Sequence, residues 1–258
     1  MAQDKATAPT TAKTGAPSRL APTVAGTHIL IVTTSHSLMD SGDVTGVWAE
    51  ELATPYYLFR DAGAKVTVAS IKGGPVPFDP RSISGSEPQP DSVQRLLADK
   101  ATMDALQATP SVADLDALLY DAIFLPGGHG TMWDLAGSQA LAQRILDLDA
   151  RGKPVAAVCH GPAGLTHVRR KDGAPLVSGR RVTGFTNAEE KKVGLEKAVP
   201  FLLQDRLIEL GGQFEAAEDF QPHAIRDGNL VTGQNPASSE LTAKLMLRAL
   251  HERHVMAA

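Results

Sequence analysis

The segment Val155–Val158 is wholly apolar and stops abruptly at C-H-G-P, and three more short apolar runs precede it: His28–Thr34, Ala64–Ser70 and Ala122–Leu125. A strand with no polar side chain has no face to offer water, so Val155–Val158 is expected at the centre of a sheet covered on both faces. Between the runs lie helix-length stretches. Gly46–Ala62 would bury Val47, Trp48, Leu52, Tyr56 and Phe59, with a kink expected at Pro55. Asp91–Leu106 and Ser138–Ala150 come next, and Lys72–Pro90, rich in Pro and Gly, reads as a long connection with at most a short hairpin. The alternation continues with a strand at Arg181–Phe185, a helix near Pro200–Leu210, strands near Phe214–Ala216 and Leu230–Thr232, and a closing helix Pro236–His251. No internal repeat is visible. Strands separated by helices over most of the length imply an α/β fold: a three-layer sandwich with a mostly parallel central sheet and helices on both faces.

At 258 residues, 43% of them hydrophobic, the chain can bury one sizeable core. Residues 1–27 read as a disordered N-terminal arm and residues 28–258 as a single domain; the arm lacks the apolar stretch of a secretory signal and has Arg19 as its one arginine. A net charge of −4 without a Lys/Arg-rich run argues against nucleic acid, and no stretch nears the roughly 20 apolar residues needed to span a bilayer. A single cysteine excludes an intramolecular disulfide, which suits a cytoplasmic location.

That cysteine, Cys159, falls where an apolar strand ends and a helix is expected to begin, between small neighbours Ala157 and Gly161. Such an elbow holds a nucleophile in a strained backbone conformation, and the N–H groups of a helix start would lower the thiol pKa. A lone cysteine is otherwise a small buried hydrophobe; the V-C-H-G-P context favours the nucleophile. His160 can take the thiol proton and return it, provided a carboxylate orients it. Glu189 and Glu190 both stand ready in TGFTNAEE, where they could equally be solvated first-turn residues. In G-G-H-G (Gly127–Gly130), glycines let backbone N–H groups approach a ligand as an oxyanion site, and His129 is a gate, a substrate contact or a turn residue. Glu51, one step off the apolar face of its helix, is either an exposed helix glutamate or a half-buried acid of raised pKa. His251-x-x-His254 has metal-like spacing but no supporting ligand, and reads as a helix end.

Five motifs then fall in one order: T-G-x-x-x-x-E (Thr45–Glu51), L-P-G-G-H-G-T-x-x-D (Leu125–Asp134), A-V-C-H-G-P (Ala157–Pro162), T-G-F-T-x-x-x-E (Thr183–Glu190) and T-G-Q-N-P-A-S-S (Thr232–Ser239). Together they resemble the ThiJ/PfpI superfamily, with its flavodoxin-like, class I glutamine-amidotransferase-like fold, and in particular its branch of glutathione-independent glyoxalases (glyoxalase III) and thirty-one-kilodalton heat-shock chaperones. The resemblance makes Cys159 the nucleophile, His160 its base, Glu190 the acidic third member and Glu51 the carboxyl that contacts sulfur; Glu189 leaves the triad acid ambiguous by one residue. Gly128 and His160 would supply the oxyanion N–H groups. True amidotransferases carry a distant H-x-E motif that is not found here.

The activity implied is conversion of methylglyoxal or a similar 2-oxoaldehyde to a 2-hydroxy acid, without cofactor or metal, by a homodimer. Removal of glycation adducts, a holdase chaperone and a redox-sensing cysteine are the alternatives of the same superfamily.

Overall fold

In the computed structural model the described residues are 24–84 and 89–257. Residues 1–23 of the expected arm lie outside them. Val24 and Thr27 are buried, and the Val24 N–H donates to the Ala62 carbonyl at 3.0 Å, so the packed fold begins before His28.

The element order is β1 (His28–Thr33), α1 (Ala49–Asp61), β2 (Lys65–Ser70), α2 (Asp91–Ala98), α3 (Lys100–Leu106), β3 (Ala122–Leu125), α4 (Thr131–Asp134), α5 (Gln139–Asp149), β4 (Val155–Val158), β5 (Arg181–Val182), α6 (Asn187–Val193), α7 (Leu203–Glu209), β6 (Gln213–Phe214), β7 (Ala224–Asp227), β8 (Leu230–Gly233) and α8 (Ser239–Ala257). Among the described residues six strands form one sheet in the order β2-β1-β3-β4-β8-β7, parallel except for the edge strand β7. Every residue of β3, β4 and β8 is buried, as the unbroken apolar character of β3 and β4 requires. Helices α1 and α8 pack on each other and on the sheet, and α5 packs over β3 and β4, giving the three layers. Because β1 pairs with both β2 and β3, the connections leaving the carboxyl ends of β1 and β3 run to opposite faces and open a crevice there, where open α/β sheets bind ligands. No helix among the described residues is long and apolar enough to cross a membrane.

The structure departs from the periodicity at identifiable places. The helix expected over Asp91–Leu106 is two helices, because the Asp99 side chain turns back to accept from the Thr102 N–H (3.1 Å) and caps α3. The strand expected over Arg181–Phe185 stops at Val182 and pairs with β6 in a separate two-stranded sheet. Beyond it the Thr183 N–H goes to Thr232 Oγ1 and the Phe185 N–H to the Cys159 carbonyl, so no ladder can continue. Strand β7 escapes the pattern because only Ile225 of its four residues is buried. Among the described residues of the Pro-rich connection there is no hairpin but a single 3₁₀ turn, Pro80–Ser82.

Candidate active site

Strand β4 delivers Cys159 onto an elbow with φ of +59°. Left-handed backbone in a non-glycine residue costs about 1–3 kcal/mol, and the surroundings hold it: the Cys159 N–H donates to the Gly233 carbonyl and its carbonyl accepts from the Phe185 N–H, both at 2.9 Å. A methyl group on Gly161 would lie 2.2 Å from the Leu125 carbonyl oxygen, so the second residue after the thiol must be glycine for the turn to close. The elbow leads into a five-residue 3₁₀ segment, Gly161–Leu165, rather than the expected α-helix.

From the sulfur a continuous buried relay runs outward. Cys159 Sγ lies 3.3 Å from His160 Nδ1, and His160 Nε2 lies 2.7 Å from Glu190 Oε2. The other carboxylate oxygen, Oε1, is 2.8 Å from His129 Nε2, so one glutamate serves two imidazoles. His129 Nδ1 in turn accepts from the Arg81 guanidinium at 3.4 Å, and Arg81 is held by Asp79 through its backbone N–H and two guanidinium contacts. Cys159, His160, Glu190 and His129 are each at most 5% exposed, and the Phe185 ring packs 4.4 Å from that of His160. Burial alone would raise the Glu190 carboxyl. The charge of His160 and the hydrogen bonds from both histidines outweigh it and hold Glu190 well below the usual carboxylate range. His129 is pushed down to about 4, first by burial and then by the charge of His160, so it is neutral at working pH.

Glu51 approaches the sulfur from α1. Its Oε2 accepts from the Gly127 N–H at 2.8 Å, and its Oε1 is buried without an N–H or O–H donor. Burial pushes its pKa up to about 8, aided by the charge of Glu50 and opposed by the thiol and the Gly127 N–H. The carboxyl is therefore mostly protonated at neutral pH and can turn an O–H toward sulfur. The thiol is also pushed well above its ordinary value, by burial first and by Glu51 second, while the His160 N–H acts the other way. This direction is opposite to the one a helix start would impose. Desolvation dominates, and a short 3₁₀ turn has no macrodipole to set against it. The repulsion from Glu51 exists only when that carboxyl is ionised, so thiol and carboxyl titrate as a coupled pair.

The glycine loop closes the site. Gly128 has φ of +96°, and a methyl group there would lie 2.3 Å from the Gly46 carbonyl oxygen and 2.6 Å from the Trp48 nitrogen, so no other residue fits. Its N–H has no acceptor among the described residues, and the His160 N–H faces the thiol. These are the two N–H groups expected to hold an oxyanion. Both ring nitrogens of His129 are engaged within the protein.

The neighbouring glutamates separate cleanly. Glu190 faces His160, whereas Glu189 accepts from the Thr186 N–H and hydroxyl, the Phe220 N–H, and the Gln234 and Asn235 amides. The sequence carries a signal for this: Thr186-x-x-Glu189 is a capping-box pattern, and the box is formed. It also explains the T-G-Q-N segment, whose amides bind Glu189. Asp79 and Arg81 escape sequence reasoning because nothing local marks a loop arginine that meets a histidine 48 positions away. His129, His160 and Glu190 bring three metal-type ligand atoms within 4.8 Å of one another. Their spacings of 2.7 and 2.8 Å are those of hydrogen bonds, and a metal about 2.0–2.1 Å from each nitrogen would have to displace both ring protons.

Known proteins resemble this chain along most of its length. The model of the DJ-1/PfpI family matches residues 44–249. The glutathione-independent glyoxalase of Saccharomyces cerevisiae is 31% identical over 236 residues, covering 86% of this chain and 97% of that one. Among solved structures, the Rapid Encystment Protein of 24 kDa from Francisella tularensis superposes with a TM-score of 0.83 at 37% identity, covering 87% of this chain and 99% of that one. Glyoxalase III of Candida albicans superposes with a TM-score of 0.79 at 27% identity, covering 86% and 97%.

Proposed function

The chain belongs to the DJ-1/PfpI family, and from that premise we propose that it is a glutathione-independent glyoxalase, converting methylglyoxal or a similar small 2-oxoaldehyde to the 2-hydroxy acid. The observation that carries the reading is the pair of groups around one enclosed thiol: a base, His160, at 3.3 Å, and a buried acid, Glu51, whose pKa of about 8 lets it gain or lose a proton near neutrality. Moving a hydrogen between two adjacent carbons needs such a pair.

In the proposed sequence, His160 Nδ1 takes the thiol proton as Sγ bonds to the aldehyde carbon. The resulting oxyanion is held by the Gly128 and His160 N–H groups and takes up a proton to give a hemithioacetal. Glu51 or His160 then removes the proton from the former aldehyde carbon, and a proton is delivered to the neighbouring carbon through an enediol. The first carbon is oxidised to a thioester as the second is reduced to an alcohol, so no external electron carrier is consumed. Water attacks the thioester, the C–S bond breaks, and the sulfur recovers its proton. Glu190 stays ionised throughout and steadies the imidazolium of His160.

The enclosure favours a small free aldehyde over an adduct on a protein side chain, because Cys159 is 3% exposed. Lactate formed from methylglyoxal in thiol-free buffer is expected from the purified protein, with solvent deuterium incorporated at the lactate C2 and activity lost in Cys159→Ser. Undiminished turnover in that variant would overturn the mechanism. Turnover of a purified, aldehyde-free glycation adduct at a comparable kcat/KM would make adduct removal the function instead. Suppression of client aggregation by Cys159→Ser, without lactate formation by the parent, would point to a chaperone. A homodimer in the cytoplasm completes the proposal, and sedimentation at twice the 27.2 kDa chain mass is the expected result.

A further inference from the structure

Two imidazoles share Glu190, and they do so on unequal terms that can be derived from donor counts. A guanidinium has donors only, so where Arg81 meets His129 the Nδ1 atom must be the acceptor and must lack a proton. The neutral ring then carries its proton on Nε2 and donates it to Glu190 Oε1. Protonation of Nδ1 would set a cation against Arg81, and Arg81 has little freedom to withdraw. Its Nε and terminal nitrogen bind the two oxygens of Asp79 at 2.9 and 2.7 Å, its backbone N–H binds the same carboxylate, and Asp79, fully buried, also accepts from Thr45. The charged and titratable groups facing His129 are therefore Glu190, His160 and Arg81, with Asp79 behind Arg81.

We propose that Arg81 is a positioning residue: bolted by Asp79, it fixes His129 as a neutral Nε2–H donor, so that Glu190 keeps its full charge for His160. Were His129 a cation, Glu190 would be paired with it, and His160 would lose the field that makes it a base for the thiol. The device explains why a connection dense in proline carries a buried aspartate directly before its 3₁₀ turn. The low pKa of His129, set first by burial and by His160, with Arg81 adding in the same direction, agrees with it. The kinetic consequence rests on the glyoxalase reading; the protonation state of His129 does not.

The test has two arms. In ¹⁵N-histidine NMR of the intact protein, His129 is expected as the Nε2–H tautomer and silent between pH 5 and 8, whereas in Arg81→Met its titration moves to higher pH than in the parent. A wild-type His129 protonated on Nδ1, or an Arg81→Met ring that titrates where the parent's does, would overturn the proposal whatever the substrate proves to be. In the second arm, the acid limb of kcat for lactate formation moves to higher pH in Arg81→Met, with KM little changed. Because removing Arg81 leaves Asp79 unpaired, Arg81→Lys, which keeps that charge without the planar fork, is run beside it and is expected to fall between the two. A glutamine amide can copy the ring, donating to Glu190 and accepting from Arg81. His129→Gln should therefore recover most of the kcat that His129→Ala loses and abolish the pH shift when combined with Arg81→Met. Failure of that rescue would mean that the imidazole acts by its own titration. Absence of lactate formation in the parent, with the NMR result as expected, would instead remove only the glyoxalase reading.

Discussion

Glu51 shows at the level of one side chain how the site is set against the stability of the fold. Its carboxyl is fully buried, with one N–H donor and a thiol as partners, and its folded pKa of about 8 stands far above the ordinary 4.5. A raised carboxyl pKa means that the folded protein binds a proton which the unfolded chain releases. Stability from this group is thus complete below about pH 4.5 and is lost as pH climbs toward 8. At pH 7 the penalty is about 3 kcal/mol, an order-of-magnitude figure for a coupled pair. Glu51→Gln keeps the shape, the acceptor for Gly127 and a donor for sulfur, but cannot ionise. It is expected to melt several degrees higher than the parent at pH 7 and to show the difference shrinking as pH falls to 5. Its thiol should ionise at lower pH, since the Glu51 charge that opposes the thiolate is gone. Turnover should drop about a hundredfold or more, because the group that relays the carbon-bound proton is removed. A variant no more stable than the parent at pH 7 would show that the carboxyl is not buried at that cost.

The next scale is the short helix α6, whose first turn places Glu189 and Glu190 in different environments one residue apart. Glu189 completes the capping box with Thr186 and gathers the loop donors Phe220 N–H, Gln234 and Asn235, while Glu190 turns to the histidines. Glu189→Ala strands several buried donors and is expected to cost about 3–5 kcal/mol, seen as a large fall in melting temperature. Glu190→Gln should melt within a few degrees of the parent and lose about a thousandfold in lactate formation, through a misoriented His160. The reverse pattern in the two variants would exchange their roles. This is also where legibility in the sequence divides. Cys159 and His160 can be found because elbow, nucleophile and base are contiguous, and the central strands because their apolar runs have no other explanation. Glu190 is legible only with Glu189 beside it, since a helix of unknown rotation leaves neighbouring side chains equivalent. Arg81 and Asp79 belong to a segment whose prolines announce a connection and say nothing about where it goes. The direction of the thiol shift is hidden as well, because helix-end electrostatics act locally along the chain. The desolvation that dominates comes from burial, which segments far apart in the sequence create only once they are packed together.

For the whole molecule, the decisive property is convergence. Segments leaving β3, β4 and β5, together with the start of α1, meet at the carboxyl edge of one sheet, and their joint packing leaves Cys159 3% exposed. Enclosure does three things at once. It raises Glu51 into the range of a proton shuttle, it strengthens every hydrogen bond of the relay by excluding water, and it limits what can reach the thiol by size. The last of these can be separated from the chemistry, because Cys159 is the sole cysteine and any thiol signal belongs to it. A small neutral alkylating agent such as iodoacetamide should modify the native protein, whereas a bulky aromatic disulfide should react at least about a hundredfold more slowly relative to its own rate on the urea-unfolded chain. The same filter should act on substrates, with kcat/KM falling as the side chain of the 2-oxoaldehyde grows while kcat for those that enter changes less. If both reagents label the native thiol at the same fraction of their unfolded rates, the site opens in solution, and the size of the aldehyde can no longer be what selects a free metabolite over a protein-bound adduct.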